Sequence, residues 1–444
     1  MPCRGVRAPA SASTRESSLP ASSAQLSQQE SALCADIASR ARTMLEDLRT
    51  HVAIPTGGVY TPGLDEYRGI LLERIVKLGA AVELKPGKHK PEWLYGVDPG
   101  EPVPPIAVCR RPTRTTPRIL IACHIDTVFD PRGHFRELAV APDGKTATGP
   151  GVVDMKGGIL IALNALEALA EAGVDVSWTL LLNSDEETGS YQSEHILQHE
   201  AREHDLGICT EPALAGGELA IERMGSGQFQ IETIGRAAHV GRAFTEGISA
   251  VTALAETLVQ VAQIADPANG RIVSVGPIEG GDATNAVPDR ARAWGNARYP
   301  TKEIGDEIGA ALDALQRNLP PGPAEAAHLG EDPDETEHPL PRVIVRRSFN
   351  RPAKPLTPEV ESLAMRARAA AESLGQRLPF AKTGGVCDGN ILQAAGLPTV
   401  DTLGVRGGGL HTPKEWIEIP SLVERSQLMA VLLSRLAGGD PGPT

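Results

Sequence analysis

The sequence predicts an α/β protein, a mostly parallel sheet flanked by helices, with a smaller α+β unit inserted into it. Two observations carry this. Short aliphatic runs alternate with helical periodicity and end in polar or turn-forming residues: Arg118–Cys123, Trp178–Asn183, Leu206–Thr210 and Leu397–Leu403. That is the pattern of strands buried on both faces. The stretch 224–352 instead orders its runs as strand, helix, strand, strand, helix, strand, which is the order of a ferredoxin-like unit.

Between the first two aliphatic runs, Ile159, Leu163, Leu166 and Leu169 recur at helical spacing, and Gly173 follows as a C-cap. In the inserted stretch the expected elements are a strand Phe229–Ile234, a helix over 248–264, strands Arg271–Ile278 and Arg290–Arg298, a helix over 302–319 and a strand Arg342–Phe349. Residues 320–341 are rich in Pro, Glu and Asp and read as an exposed loop. The expected division is a disordered leader 1–29, a larger domain made of 30–223 and 353–444, and the insert 224–352 between its halves.

A chain of 444 residues is too long for one core. Aromatic residues make up only 3%, so that core must be built from Ala, Val, Leu and Ile. A formal net charge of −13 disfavours nucleic acid and anionic membrane as partners. No apolar run approaches the ~20 residues that span a bilayer. The six cysteines stand at 3, 34, 109, 123, 209 and 387, without a CxxC pair. This argues against a zinc ribbon or a disulfide scaffold, and for reduced thiols in a cytoplasmic protein. The Ser- and Ala-rich first residues lack the apolar segment of a secretory signal. They are Arg-bearing and acid-poor, a weak likeness to a transit peptide, but a disordered leader is the simpler reading.

Ligands of open α/β sheets bind beyond the carboxyl ends of the strands, and five such places carry polar residues. The first reads Cys123-His124-Ile125-Asp126. Residues two apart share a strand face, so a carboxylate there could orient a ligand histidine; alone, such a pair is more often a surface pair or a satisfied polar cluster. Asp154, in Gly149–Gly158, sits where a helix begins and could be only an N-cap. The glycines around it suggest a tight turn or a close backbone approach, and they match no nucleotide-binding loop. Asp185-Glu186-Glu187 ends an aliphatic strand. Three adjacent acids repel one another, and a cation would relieve that, with one carboxylate on the metal and its neighbour taking a proton from water. Glu211 follows a fourth run, and His411 follows the glycine loop Gly407–Gly409. Two histidines and three carboxylates suit two divalent ions.

In these residues the chain resembles the zinc metallopeptidase superfamily of aminoacylases, desuccinylases and dipeptidases, with the glutamate carboxypeptidases of the carboxypeptidase G type as the nearest branch. The likeness runs from about residue 35 to 438. It implies a zinc-exopeptidase-like sheet with a lid and dimerisation domain inserted. It implies two zinc ions per subunit, with cobalt or manganese as alternatives. His124 and Glu211 would hold one ion, Glu187 and His411 the other, and Asp154 would bridge them. Asp126 would orient His124, and Glu186 would be the general base. A cis peptide is implied at Asp154–Met155. In the lid, His239 would reach the partner subunit's site and stabilise an oxyanion. Asn285 would lie near the substrate, and Arg351 would clamp its carboxylate, with Arg298 and Arg223 as further candidates. Thr383–Gly385 and Asp388–Asn390 would wall the pocket. Lys88–Pro105 and the acidic stretch Asp332–Glu337 depart from the family pattern, which leaves substrate choice open.

The expected activity is hydrolysis of an amide next to a free carboxylate, in an N-acyl amino acid or a peptide ending in a residue such as glutamate. The expected assembly is a homodimer, without nucleic acid or membrane partners. Alternatives are a deacylase of the aminoacylase or desuccinylase type and a non-catalytic dimeric scaffold. A dinuclear phosphoesterase ranks last, for want of extra histidines and a basic phosphate grip.

Overall fold

The structure is a computed structural model and describes residues 25–58, 60–318 and 339–439. Its central sheet has six strands in the order Ala81–Lys85, Ile106–Arg111, Trp178–Asn183, Ile119–His124, Leu206–Cys209 and Thr399–Val400. The last four are mutually parallel, and the first two add antiparallel at one edge. Trp178–Asn183 and Ile119–His124 are buried at every position, as a sheet covered on both faces requires.

Alternate strand residues feed two cores. Ile119, Ile121 and Cys123 pack with residues of the helices Gln28–Ser39, Gly157–Glu171 and Pro420–Ala437. Leu120 and Ala122 pack with residues of the helices Glu194–Glu203 and Asp388–Ala394 on the other side. Gly158 sets one of these approaches: a Cβ there would lie 2.0 Å from the Thr210 carbonyl oxygen. The glycine pair after Asp154 thus lets that helix start against the strand end that leads to Glu211.

The inserted segment forms a separate four-stranded antiparallel sheet in the order Ile272–Gly280, Arg290–Tyr299, Gly225–Ile234, Arg342–Arg351. In chain order that is second, third, first, fourth. The helices Ala250–Ala262 and Lys302–Asp313 contribute Leu254 and Ile308 to its own core with Phe229, Ile231, Ala293 and Val343. The α/β class and the α+β insert agree with the reading from sequence.

The differences lie at element ends. The run Leu397–Leu403 contracts to Thr399–Val400. Asp401 turns its carboxylate to Arg223, and Thr402 adopts φ 63°. The helix expected over 302–319 stops at Asp313, because Arg317 already pairs with Val343 in a β-bridge. Ordered helix starts earlier than residue 30: Ser27 caps Gln28–Ser39, reciprocated by Glu30. Most of the expected leader, the acidic stretch Asp332–Glu337 and Cys3 lie outside the described residues.

Backbone pairing at its two chain crossings and contacts from the larger body tie the inserted sheet in place. Arg223 and Lys354 exchange backbone hydrogen bonds of 2.9 and 3.0 Å. The departing stretch 88–105 supplies another. The Trp93 carbonyl accepts from Trp294 Nε1 at 2.6 Å and Gln230 Nε2 at 3.1 Å, and Tyr95 meets the Trp294 ring edge-on. The five described cysteines are all buried and unbridged. Among the described residues, no helix is long and apolar enough to cross a membrane.

Candidate metal centre

His124 is the last residue of its strand and is buried. Its Nε2 lies 3.1 Å from Asp154 Oδ1 and 4.0 Å from Glu211 Oε1. Its Nδ1 faces Asp126, 3.1 Å from the carbonyl and 3.4 Å from Oδ1. The Asp126 carboxylate also accepts the N–H groups of Glu186 (3.3 Å) and Glu187 (3.0 Å). Asp126 therefore ties the histidine to the acidic loop, more than the orienting contact expected of it.

On that loop the three acids divide. Asp185 accepts the N–H groups of Gln192 (2.6 Å) and Ser193 (3.2 Å) and closes the loop. Glu187 points to His411, with Oε2 3.3 Å from Nε2. His411 Nε2 is also 3.6 Å from Asp154 Oδ2. His411 sits in a loop with φ 61°, just after Gly409 at φ 71°. A Cβ on Gly409 would come within 2.4 Å of the Lys414 carbonyl oxygen, so the loop needs that glycine. Asp154 lies in the irregular turn Val152–Lys156, and its peptide bond to Met155 is cis.

The five residues thus form two groups, His124–Asp154–Glu211 and Asp154–Glu187–His411, each with its ligand atoms within 4.8 Å of one another. Asp154 belongs to both, one carboxylate oxygen toward each. Burial pushes the Glu211 and Glu187 carboxyls above the usual range. Burial likewise resists ionisation of Asp154, but its bonds to His124 and His411 outweigh that and hold it low. Asp154 and Glu187 push His411 up to about 10. A divalent cation would relieve the repulsion among these carboxylates, and a nitrogen-and-oxygen donor set fits zinc and its neighbours.

Glu186 is buried beside both groups. Burial pushes its carboxyl well up, and the Arg351 charge opposes this. Arg351 Nη2 lies 2.8 Å from Glu186 Oε1 and donates to the Glu186 carbonyl (2.5 Å) and Ser190 Oγ (2.7 Å). The guanidinium expected on a substrate carboxylate is therefore engaged with the acidic loop. Arg298 has its Nε on Asn296 at 3.0 Å and no ion pair among the described residues. Its pKa is lowered by burial and then by the Arg351 charge. Arg223 is buried behind the site, where its Nη2 meets Asp401 at 2.7 Å. His239 and Asn285 stand exposed on the inserted unit, around the short ribbon that pairs His239 with Ala286. No hydrogen bond or ion pair among the described residues joins either one to the five candidate ligands.

Sequence reasoning missed the supporting set. Ser190, at φ 56°, donates to Asp388 Oδ1 at 2.6 Å, and Asn183 donates to Asp388 Oδ2 at 2.7 Å. Asn350 Nδ2 donates to the Gly189 carbonyl at 2.7 Å. Asp388 and Asn390, expected to wall the pocket, are buried bracing residues; Asn390 Nδ2 bonds the Met224 and Pro352 carbonyls. Asp388 lies in the stretch expected to wall the pocket and Asn350 directly precedes Arg351, but nothing local distinguishes Ser190.

Such a cluster at the strand ends of this fold defines a metal-dependent hydrolase. The chain belongs to Peptidase family M20/M25/M40, whose profile matches residues 120–435. It is a metallopeptidase of that family. It is 29% identical over 328 residues to carboxypeptidase G2 of Pseudomonas sp. (strain RS-16), covering 72% of this chain and 74% of that one. It is 25% identical over 344 residues to the succinyl-diaminopimelate desuccinylase of Gluconacetobacter diazotrophicus, covering 73% and 83%. A tripeptidase of Staphylococcus aureus shares the fold with a TM-score of 0.66 at 22% identity, over 89% of this chain and 99% of that one.

Proposed function

We propose that the protein is a carboxypeptidase-type amide hydrolase acting next to a free carboxylate, in an N-acyl amino acid or a peptide ending in a residue such as glutamate. The observation that carries it is the sharing of Asp154 between the two ligand groups, with Glu186 buried alongside. Two zinc ions, or cobalt or manganese, held there by His124, Asp154, Glu187, Glu211 and His411 would polarise the scissile carbonyl and acidify a water. Glu186 takes the proton of the attacking water and returns it to the leaving amine. Asp126 keeps His124 and the acidic loop in register. Arg298, partly buried and without an acidic partner, is the better placed receptor for the substrate carboxylate. Arg351 holds Glu186, and Arg223 pairs with Asp401 behind the site.

The test is a panel of N-acyl amino acids, N-succinyl diamino acids and their carboxamides, with zinc- or cobalt-loaded protein. Free acids are expected to be hydrolysed. Arg298→Ala should raise KM by about 10–100-fold, the worth of a charged hydrogen bond. Equal turnover of the carboxamides would overturn the carboxylate requirement. Preference for succinyl substrates would favour the desuccinylase reading, which the second relative supports.

The inserted segment 224–352 is proposed as lid and dimerisation domain, with His239 and Asn285 completing the partner's site. Their exposure, with no hydrogen bond or ion pair to their own chain's candidate ligands among the described residues, supports this. Subunits carrying Glu186→Gln, mixed with subunits carrying His239→Ala, should regain activity, because each mixed dimer contains one intact site. A confirmed mixed dimer that stays inactive would rule out action in trans. The buried unbridged thiols support a reducing, cytoplasmic setting.

A further inference from the structure

The loop that carries His411 also carries, four residues on, a glutamate that the proposed mechanism does not use. Glu415 is buried, 1% exposed. Its Oε1 accepts the N–H groups of Val153 (2.9 Å) and Asp154 (3.1 Å), and its Oε2 accepts the N–H of Gly151 (3.3 Å). Its backbone carbonyl accepts a fourth, from Gly149 (3.2 Å).

These four donors belong to the turn that presents Asp154. Gly151 there has φ 70°, and Asp154 itself is outside helical geometry, so the turn lacks the regular helical ladder that would satisfy its N–H groups. Successive N–H groups around a left-handed residue converge into an anion-binding hollow. Here a side chain of the same protein fills it. Unpaired N–H groups at this depth would be costly, so the carboxylate over-determines the turn.

We propose that Glu415 is a positioning residue for the bridging carboxylate, building the Asp154 turn into its ligating shape before any metal arrives. Because Glu415 and His411 share one short loop, the same contact sets the spacing of Asp154 and His411. Two of the three members of the group Asp154–Glu187–His411 therefore depend on it. The inference rests on the metal-site reading above. It adds that the site is pre-built, and that Glu415, which is not a ligand, decides its affinity.

Zinc alone is the probe. Glu415→Gln keeps the size but puts an NH2 where an N–H needs an acceptor. It should weaken zinc binding about 10–100-fold, as loss of a residue that orients ligands does. It should also shrink the rise in Tm that zinc gives the metal-free protein. Glu415→Asp, which keeps the charge, should fall between that variant and the unmodified protein. Glu418→Gln, which breaks only a partly exposed pair with Arg406, should change nothing. A role confined to general stability would lower the metal-free Tm but leave zinc affinity intact. Wild-type affinity in Glu415→Gln overturns the proposal. If that variant does not fold, hydrogen exchange on the metal-free unmodified chain decides: the amides of Gly151, Val153 and Asp154 should be protected, and free exchange overturns it. An unmodified chain that binds no zinc would instead sink the metal-site reading.

Discussion

Glu186→Gln is expected to lose about 10²–10⁴-fold in turnover, the usual worth of a positioned general base, while keeping its bound metal. The amide is nearly isosteric with the carboxyl but cannot take the proton. Its place is held from several directions. The Glu186 N–H is on Asp126, and its carbonyl accepts from Arg351 and from the Gly189 N–H at 2.9 Å. The variant should therefore fold and bind zinc as before. Steady-state kinetics with metal analysis on the same sample checks this. Full turnover would remove Glu186 from the mechanism, and loss of metal would make it a ligand.

Asp154→Asn should have the larger effect, because Asp154 alone belongs to both ligand groups. Zinc bound per chain should fall below that of His411→Ala or Glu211→Gln, each of which strips only one group. Activity should drop to the level of chelator-treated protein, and added zinc should restore only the unmodified chain. The apparent zinc affinity should also fall with pH. Metal displaces protons that the metal-free site holds on His411, pushed up to about 10, and on Glu187 and Glu211, raised by burial. Retention of two zinc ions by Asp154→Asn would disprove the bridge. Calorimetric titration of each variant gives the counts.

The clustering of the five candidate ligands was legible because each follows an aliphatic run or a glycine loop, where a polar residue has a direction imposed on it by the sheet. His124 closes a strand, and Glu187 and Glu211 follow strand ends. The division of labour inside Asp185-Glu186-Glu187 was only partly legible. Asp185 closes the loop through N–H groups seven and eight residues on, whereas Glu186 and Glu187 differ by which neighbour each meets across the fold.

Arg351 shows the limit. Its residue type suits a carboxylate, and the sequence cannot say whose. Glu186 lies 165 residues away, and only the fold of the inserted strand against the acidic loop makes it the partner. Glu415 is hidden in the same way, since its side chain meets the Asp154 amide across 261 residues.

The sequence by itself determined the α/β class, the inserted α+β unit and the candidate ligands at the strand ends. Hydrophobic period and strand-end polarity are local properties, and they are written in neighbouring residues. Tertiary structure alone decided which oxygen of Asp154 faces each group, that Arg351 faces Glu186 and that Glu415 fills the turn beneath Asp154. Those are contacts between distant segments, set by how the sheets and helices pack, and no local pattern encodes them.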